Sequence, residues 1–313
     1  MKALILQQPG GTEQLRLTDI PQPTLQPQEV LVQVKALSLN PVDIKTRTGT
    51  GVYGRLKTLD PLIIGWDIAG VITEVGADVT DLQVGDEVFG MVNFPGHGQA
   101  YAEYVAAPAA HLARKPQNLS YEEAAAATLA ALTAWQALVD NAHVQTGQKV
   151  LIHAASGGVG HFAVQIAKHL GAHVIGTSSA KNREFVLSLG TDEHIDYRSQ
   201  QFDELVSDVD FVLDPLGGDN TVRSLKVLKP GGTVISIVGG ANEAVAAQAK
   251  AEGKQAYNIL VKSDGAEMQQ LADLLEKSVL KAHVSQTFGF DRMADAHAQI
   301  ESGRTVGKVV VTL

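Results

Sequence analysis

The stretch VLIHAASGGVGHFAVQIAKHL, residues 150–170, decides the fold. It opens on an apolar run, passes through a turn of small residues, and continues into a helical pattern. In that pattern Val159, Phe162, Ala163, Ile166, Ala167 and Leu170 recur with a period near 3.6. Gly158, Gly160 and Ala163 fit G-x-G-x-x-A between a strand and a helix. Gly157 and Gly158 are expected in backbone conformations closed to other residues. Gly160 lacks a side chain where a diphosphate and the first strand must approach, and Ala163 permits close helix–sheet packing. The helix N-terminus beside Val159 then presents unpaired N–H groups to a phosphate. The pattern predicts a dinucleotide site. The competing reading is a tight structural turn in an α/β domain that binds nothing. A P-loop is disfavoured because no G-K-[ST] follows.

The next strand runs into GTSSAKNREF, residues 176–185. NAD sites often place an acid about 20 residues beyond the glycines, where it holds the ribose diol. Ser178 stands there, and no carboxylate follows until Glu184. Ser178 and Ser179, with Lys181 and Arg183 close by, suit a 2′-phosphate better than a neutral diol. NADPH is therefore the expected cofactor. The alternative for Lys181 and Arg183 is two solvated residues at the start of a helix.

Outward from this turn, KVLIHAA, AHVIGT, VDFVLD and GTVISIVG read as buried strands separated by helical segments. Such alternation predicts a doubly wound parallel sheet over residues 123–260. Ser120 and Glu123 have capping-box spacing ahead of an alanine-rich helix. Residues 1–122 have a different character. EVLVQVKAL, IAGVITEVG and GDEVFGMV are short β-rich runs broken by Gly, Pro and Asp, which predicts a compact, partly open barrel. Helices are expected at 266–277 and 291–302, then the strand VGKVVVTL. Residues 261–313 are assigned to the first domain.

A length of 313 residues fits two domains at about 150 residues each. The formal net charge of −9 argues against nucleic-acid binding, which needs clustered Lys and Arg. There are no cysteines, so disulfides, Cys-ligated zinc and thiolate catalysis are excluded. No apolar run reaches the length of a membrane span. Met1 leads into KALILQQPGG without an h-region, from which a soluble cytoplasmic protein is expected.

No H-E-x-x-H helix or G-x-S-x-G elbow occurs. His97, His111 and Asp67 lack compact ligand spacing, so no metal is expected. Tyr53 and Lys57 have the Tyr-x-x-x-Lys spacing of short-chain dehydrogenases, but they precede the cofactor turn and the spacing is taken as coincidence. What remains is hydride transfer from the cofactor to an acceptor that needs no Lewis acid. Asn40, Asp43 and Tyr53 lie in polar turns and are the residues expected to orient such an acceptor. Turn chemistry is the competing account of them.

The chain resembles the medium-chain dehydrogenase/reductase superfamily, and within it the zinc-free quinone oxidoreductase branch related to zeta-crystallin. The resemblance rests on LNPVDIKTR at 39–47, GWDIAGVITEVG at 65–76, VGDEVFG at 84–90 and LTAWQAL at 132–138. HAASGGVG at 153–160, IDYR at 195–198 and VGKVVV at 306–311 complete it. It implies a GroES-like domain rejoined by the C-terminal segment, with a Rossmann domain between. In the family's zinc enzymes the stretch matching GWDIAG reads Gly-His-Glu; here Trp66 and Asp67 occupy it. The resemblance places Asn40 at the nicotinamide pocket, Asp43 beside it, and Tyr53 near an aromatic of the quinone pocket. It assigns Thr128 to the nicotinamide or its ribose and Gly157, Gly158, Val159 and Gly160 to the diphosphate. Ser178, Lys181, Arg183 and Tyr197 fall to the 2′-phosphate, and Gly239 and Lys308 to further cofactor contacts. The implied activity is NADPH-dependent quinone reduction. Reduction of enals and enones is the alternative, and a crystallin-like cofactor-binding protein with little turnover is a third reading. A homodimer is expected, pairing through a sheet edge at TVISIVG.

Overall fold

The computed structural model describes residues 1–313. The chain divides into two units, Met1–Leu132 with Val261–Leu313, and Thr133–Leu260. The first junction falls later than the expected 122/123 boundary. Ser120 and Glu123 do form the capping box: the Ser120 hydroxyl accepts the Glu123 N–H at 3.2 Å, and the Glu123 carboxylate accepts the Ser120 N–H at 3.0 Å. The helix it opens, Tyr121–Ala126, packs on strands Glu29–Leu39, Asp67–Val75 and Lys308–Thr312 of the first unit. Its buried alanines, Ala124 to Ala126, allow that close approach and tie the helix to this side of the junction.

In the first unit a seven-stranded sheet surrounds Glu29–Leu39, which pairs antiparallel with Asp67–Val75, with Lys308–Thr312 and with Tyr104–Pro108. Val30, Leu31, Val32, Val34, Leu37 and Leu39 are all buried, as expected of a central strand. The register sets the neighbourhood of Asn40. Ser38 lies opposite Asp67 on one side, and Leu39 lies opposite Val309 on the other. Asn40 therefore emerges between the first residues of two flanking strands, Asp67 and Lys308. This is the GroES-like β domain that the resemblance implied.

The second unit is a doubly wound sheet. All six strands are parallel, in the order Glu193–Asp196, His173–Ser178, Lys149–Ile152, Val209–Asp214, Leu228–Ser236, Gln255–Asn258. That is the Rossmann order, with its switch point between Lys149–Ile152 and Val209–Asp214. Two strands were not foreseen. Glu193–Asp196 and Gln255–Asn258 are short edge strands without a continuous apolar run. The second corrects the assembly argument: Leu228–Ser236, which contains TVIS, is flanked on both sides, so the free edge is Gln255–Asn258.

Candidate active site

The glycine turn closes the switch-point strand Lys149–Ile152 and opens the twelve-residue helix Gly158–His169. From His161 to Ala167 every residue of that helix is buried. Left-handed backbone was expected at Gly157 and Gly158. Gly157 is instead extended, with φ −84° and ψ −177°, and the positive φ falls on Ala154 at 49°. The turn needs its glycines for space. A Cβ on Gly160 would stand 2.2 Å from the Ala154 carbonyl oxygen and 2.8 Å from the Ala155 Cα, both backbone atoms. No side chain caps the helix N-terminus at Gly157. The first N–H groups at Gly158, Val159 and Gly160 thus face a cradle without side-chain competition, and the residues fit a diphosphate.

At the end of the neighbouring strand, Ser178 and Ser179 are buried, while Lys181 and Arg183 are exposed and form no ion pair. The Ser178 hydroxyl lies 2.7 Å from His194 Nε2. Burial, reinforced by the Arg183 charge, holds the His194 pKa below the usual imidazole range. Tyr197 is exposed, and the Arg198 guanidinium stands 5.9 Å from its ring centroid. Sequence reasoning passed over Asp196, which lies opposite Ser178 in register. Its carboxylate accepts the Ala180 N–H and the Arg198 N–H, each at 3.2 Å, and the Ser199 hydroxyl at 2.7 Å. These bonds engage it within its own turn and with the segment that follows Ser178 and Ser179. Gly239 follows the strand Leu228–Ser236 with φ 85°.

In the first unit, four of the expected residues meet around Asp67. Asn40 caps the helix Pro41–Arg47, with Pro41 at its first position. Asp43 reaches back to accept the Asn40 N–H at 2.6 Å. The Asn40 carboxamide donates to Asp67 at 2.7 Å and accepts from the Lys308 ammonium at 2.5 Å. Lys308 also donates to the Leu39 carbonyl at 2.8 Å and stands 3.8 Å from the Asp67 carboxylate. The other Asp67 oxygen accepts the Leu129 N–H at 3.1 Å. Thr128 is buried beside Asp67, whose charged form its side chain stabilises. Burial raises the pKa values of Asp43 and Asp67 and lowers that of Lys308, while the opposite charges partly offset it. Asn40 is thus clamped from both ends, one amide hydrogen remaining. Tyr53 begins the short helix Tyr53–Leu56, half-buried, and makes no side-chain hydrogen bond to this network.

Trp66 is fully buried. Its indole N–H donates to the Gly96 carbonyl at 2.7 Å, and its ring packs edge-on against Phe94. A Cβ on Gly98 would come within 2.4 Å of the indole, so the loop closes tightly over it. His97 accepts the Ile63 N–H and His111 accepts the Asn93 N–H; neither bonds Asp67. No group of three or more His, Cys, Asp or Glu is placed to hold a metal.

Residues 26–117 match the family model of the alcohol dehydrogenase GroES-like domain, and residues 189–311 match that of the zinc-binding dehydrogenases. The chain is 34% identical over 324 residues to the chloroplastic NADPH-dependent alkenal/one oxidoreductase of Arabidopsis thaliana, covering 99% of this chain and 79% of that protein. It is 31% identical over 354 residues to the human mitochondrial NAD(P)H oxidoreductase RTN4IP1, covering 100% and 89%. The solved quinone oxidoreductase from Coxiella burnetii is similar with a TM-score of 0.94 and 37% identity, covering 100% of this chain and 99% of that one. The chain belongs to the medium-chain dehydrogenase/reductase superfamily, in its quinone-oxidoreductase-like branch. It is a zinc-independent oxidoreductase that uses an NAD(P)H-type nucleotide.

The cytoplasmic expectation is overturned here. The Arabidopsis and human relatives carry chloroplast and mitochondrial designations. Lack of an h-region bears on secretion only, since organellar transit peptides are amphipathic rather than apolar.

Proposed function

We propose that this protein reduces quinones with NADPH, by direct hydride transfer and without a metal. The observation that carries the reading is that Trp66 fills the position where the family's zinc enzymes carry a metal-binding His, in a chain that also has a diphosphate cradle. Beside Trp66, the cation nearest Asp67 is Lys308. A bound nicotinamide supplies the hydride. The chain's own residues hold the nucleotide, fix Asn40 and govern protons. Quinones suit such a site because the reduced ring is aromatic and its oxygens are readily protonated. The similarity to the Coxiella burnetii quinone oxidoreductase over the whole chain supports this choice.

NADPH preference rests on Ser178, Ser179 and the unpaired Lys181 and Arg183, and on an Asp196 carboxylate already engaged by the Ala180 N–H and the Ser199 hydroxyl. Asn40, Asp43, Thr128 and Lys308 form the acceptor-facing network of this reading, with Tyr53 at its periphery. A second reading, reduction of the double bond of enals and enones, is favoured by the likeness to the alkenal/one oxidoreductase. The two separate on an acceptor panel of benzoquinone, naphthoquinones, 2-alkenals and enones, followed by NADPH absorbance and product analysis. Quinone turnover well above enal turnover supports the first reading, and the reverse order replaces it with the second. We also propose a homodimer, paired through the free edge Gln255–Asn258; light scattering that gives the mass of a single chain would reject it.

A further inference from the structure

Behind Asn40 two buried carboxyls share one neighbouring ammonium. Asp43 and Asp67 are both 0% exposed, and the ammonium beside them belongs to Lys308, 3% exposed. With all three ionised the cluster carries one uncompensated charge away from water, which is strongly unfavourable. The two carboxyls are not equivalent. Asp67 receives Asn40 Nδ2, the Leu129 N–H and the nearby Lys308 ammonium. Asp43 receives one backbone N–H on Oδ2, and its Oδ1 is buried without a partner. Arg47, four residues on, does not neutralise it. That guanidinium donates to the Gly10 carbonyl at 2.8 Å and pairs with Glu301.

The same helix face carries Thr46, whose hydroxyl also lacks a partner. Across from it, His297 of the helix Met293–Glu301 bonds the Tyr101 hydroxyl at 3.0 Å through Nε2, while its Nδ1 is unpartnered. Orphaned buried polar atoms are uncommon, and here four of them, Asp43 Oδ1, Thr46 Oγ1, Arg47 Nε and His297 Nδ1, fall on two helices that pack together.

We propose that this cluster stores one proton on the Asp43 carboxyl, and that the reduction consumes it. The proposal rests on the reductase reading. The overall step balances. A quinone gains a hydride and one proton to give the hydroquinone, and NADPH becomes NADP⁺. The Asp43 O–H bond breaks as an O–H bond of the product forms, and water then restores the proton to the carboxylate. Asp43 is 0% exposed, so its proton reaches the product through bridging water, and Asp43 acts as a proton-holding, positioning residue. The charged and titratable groups facing it are Asp67 and Lys308 from flanking strands, Tyr101 from a loop, His297 and Glu301 from the facing helix, and Arg47 from its own.

Burial holds Asp43 in its acid form well above the usual carboxylate range, with the Asp67 charge adding to it and the Asn40 N–H and Lys308 opposing. A carboxyl whose folded pKa is raised loses stability as pH rises from the unfolded value, about 4, toward the folded one. Asp43→Asn cannot ionise. Its melting temperature relative to the wild type should therefore climb with pH across that window. Infrared difference spectra of wild-type protein carrying ¹³C-aspartate should show a protonated carboxyl band at neutral pH, which reads the proton even if the variant folds poorly. In turnover, Asp43→Asn should lower kcat on the order of 100-fold and flatten its pH profile. A pH-independent melting difference, or no protonated carboxyl band in the wild type, overturns the storage. An unchanged kcat and pH profile overturns its use. If the wild type turns over neither quinones nor enals, the reductase reading fails, while the spectra and melting curves still decide whether the proton is there.

Discussion

Replacing Lys308 with Met tests whether the buried network depends on its one ammonium. The side chain length is nearly kept, so the change removes charge and donors rather than volume. Lost are the donations to the Leu39 carbonyl at 2.8 Å and the Asn40 carboxamide at 2.5 Å, and the 3.8 Å approach to Asp67. Asp67 then lies fully buried near Asp43 with no cation. Removing one partner of a buried pair costs about 3–5 kcal/mol, because the other charge is left uncompensated. Urea unfolding followed by Trp66 fluorescence, in a Trp135→Phe background, reads the first unit alone, since these are the only two tryptophans. The pH dependence has a definite sign. Loss of Lys308 raises the folded pKa of Asp67 further, so the destabilisation should grow with rising pH and shrink toward pH about 4, where the unfolded carboxyl also protonates. Adding Asp67→Asn should recover part of the loss, the mark of coupling between contacting residues. A cost under about 1 kcal/mol, or one independent of pH, would refute this account of the network.

Two further outcomes follow from the nucleotide half. Gly160→Ala drives a Cβ into the Ala154 and Ala155 backbone, which cannot rotate away. The expected cost is about 1–3 kcal/mol, with a rise in NADPH Kd seen by fluorescence titration; wild-type affinity and stability would contradict the cradle. Arg183→Ala should weaken NADPH about tenfold, or about 1.4 kcal/mol, while leaving NADH nearly unchanged. Equal losses for both nucleotides would remove Arg183 from the 2′-phosphate.

The sequence made legible what depends on local pattern. The glycine turn, the apolar strands around it and the Ser120–Glu123 box all lie where periodicity and spacing put them. The helix expected at 266–277 forms as Gly265–Glu276, and that expected at 291–302 as Met293–Glu301. The short edge strands were hidden because four polar-rich residues carry no period. The contacts of Asn40 and Lys308 were hidden for another reason: they join residues 268 positions apart, through sheet register that no local window contains. The resemblance assigned both residues to the cofactor site, but named Asp67 only as the neighbour of Trp66 and gave it no contact with them. Tyr101 and His297 left no signal at all, since a lone tyrosine and a lone histidine read as ordinary core residues until they meet. The turn's strain was misplaced onto Gly157 and Gly158. Here steric room at Gly160, not a positive φ, is what the sequence was recording.

Metal-free hydride transfer from NADPH to a quinone is the proposed activity on which the site reading depends. The most direct measurement is NADPH oxidation with benzoquinone by protein dialysed exhaustively against a chelator, with zinc per chain determined on the same sample. Full turnover at negligible zinc is the expected result. Turnover that vanishes on chelation and returns with stoichiometric zinc would contradict it.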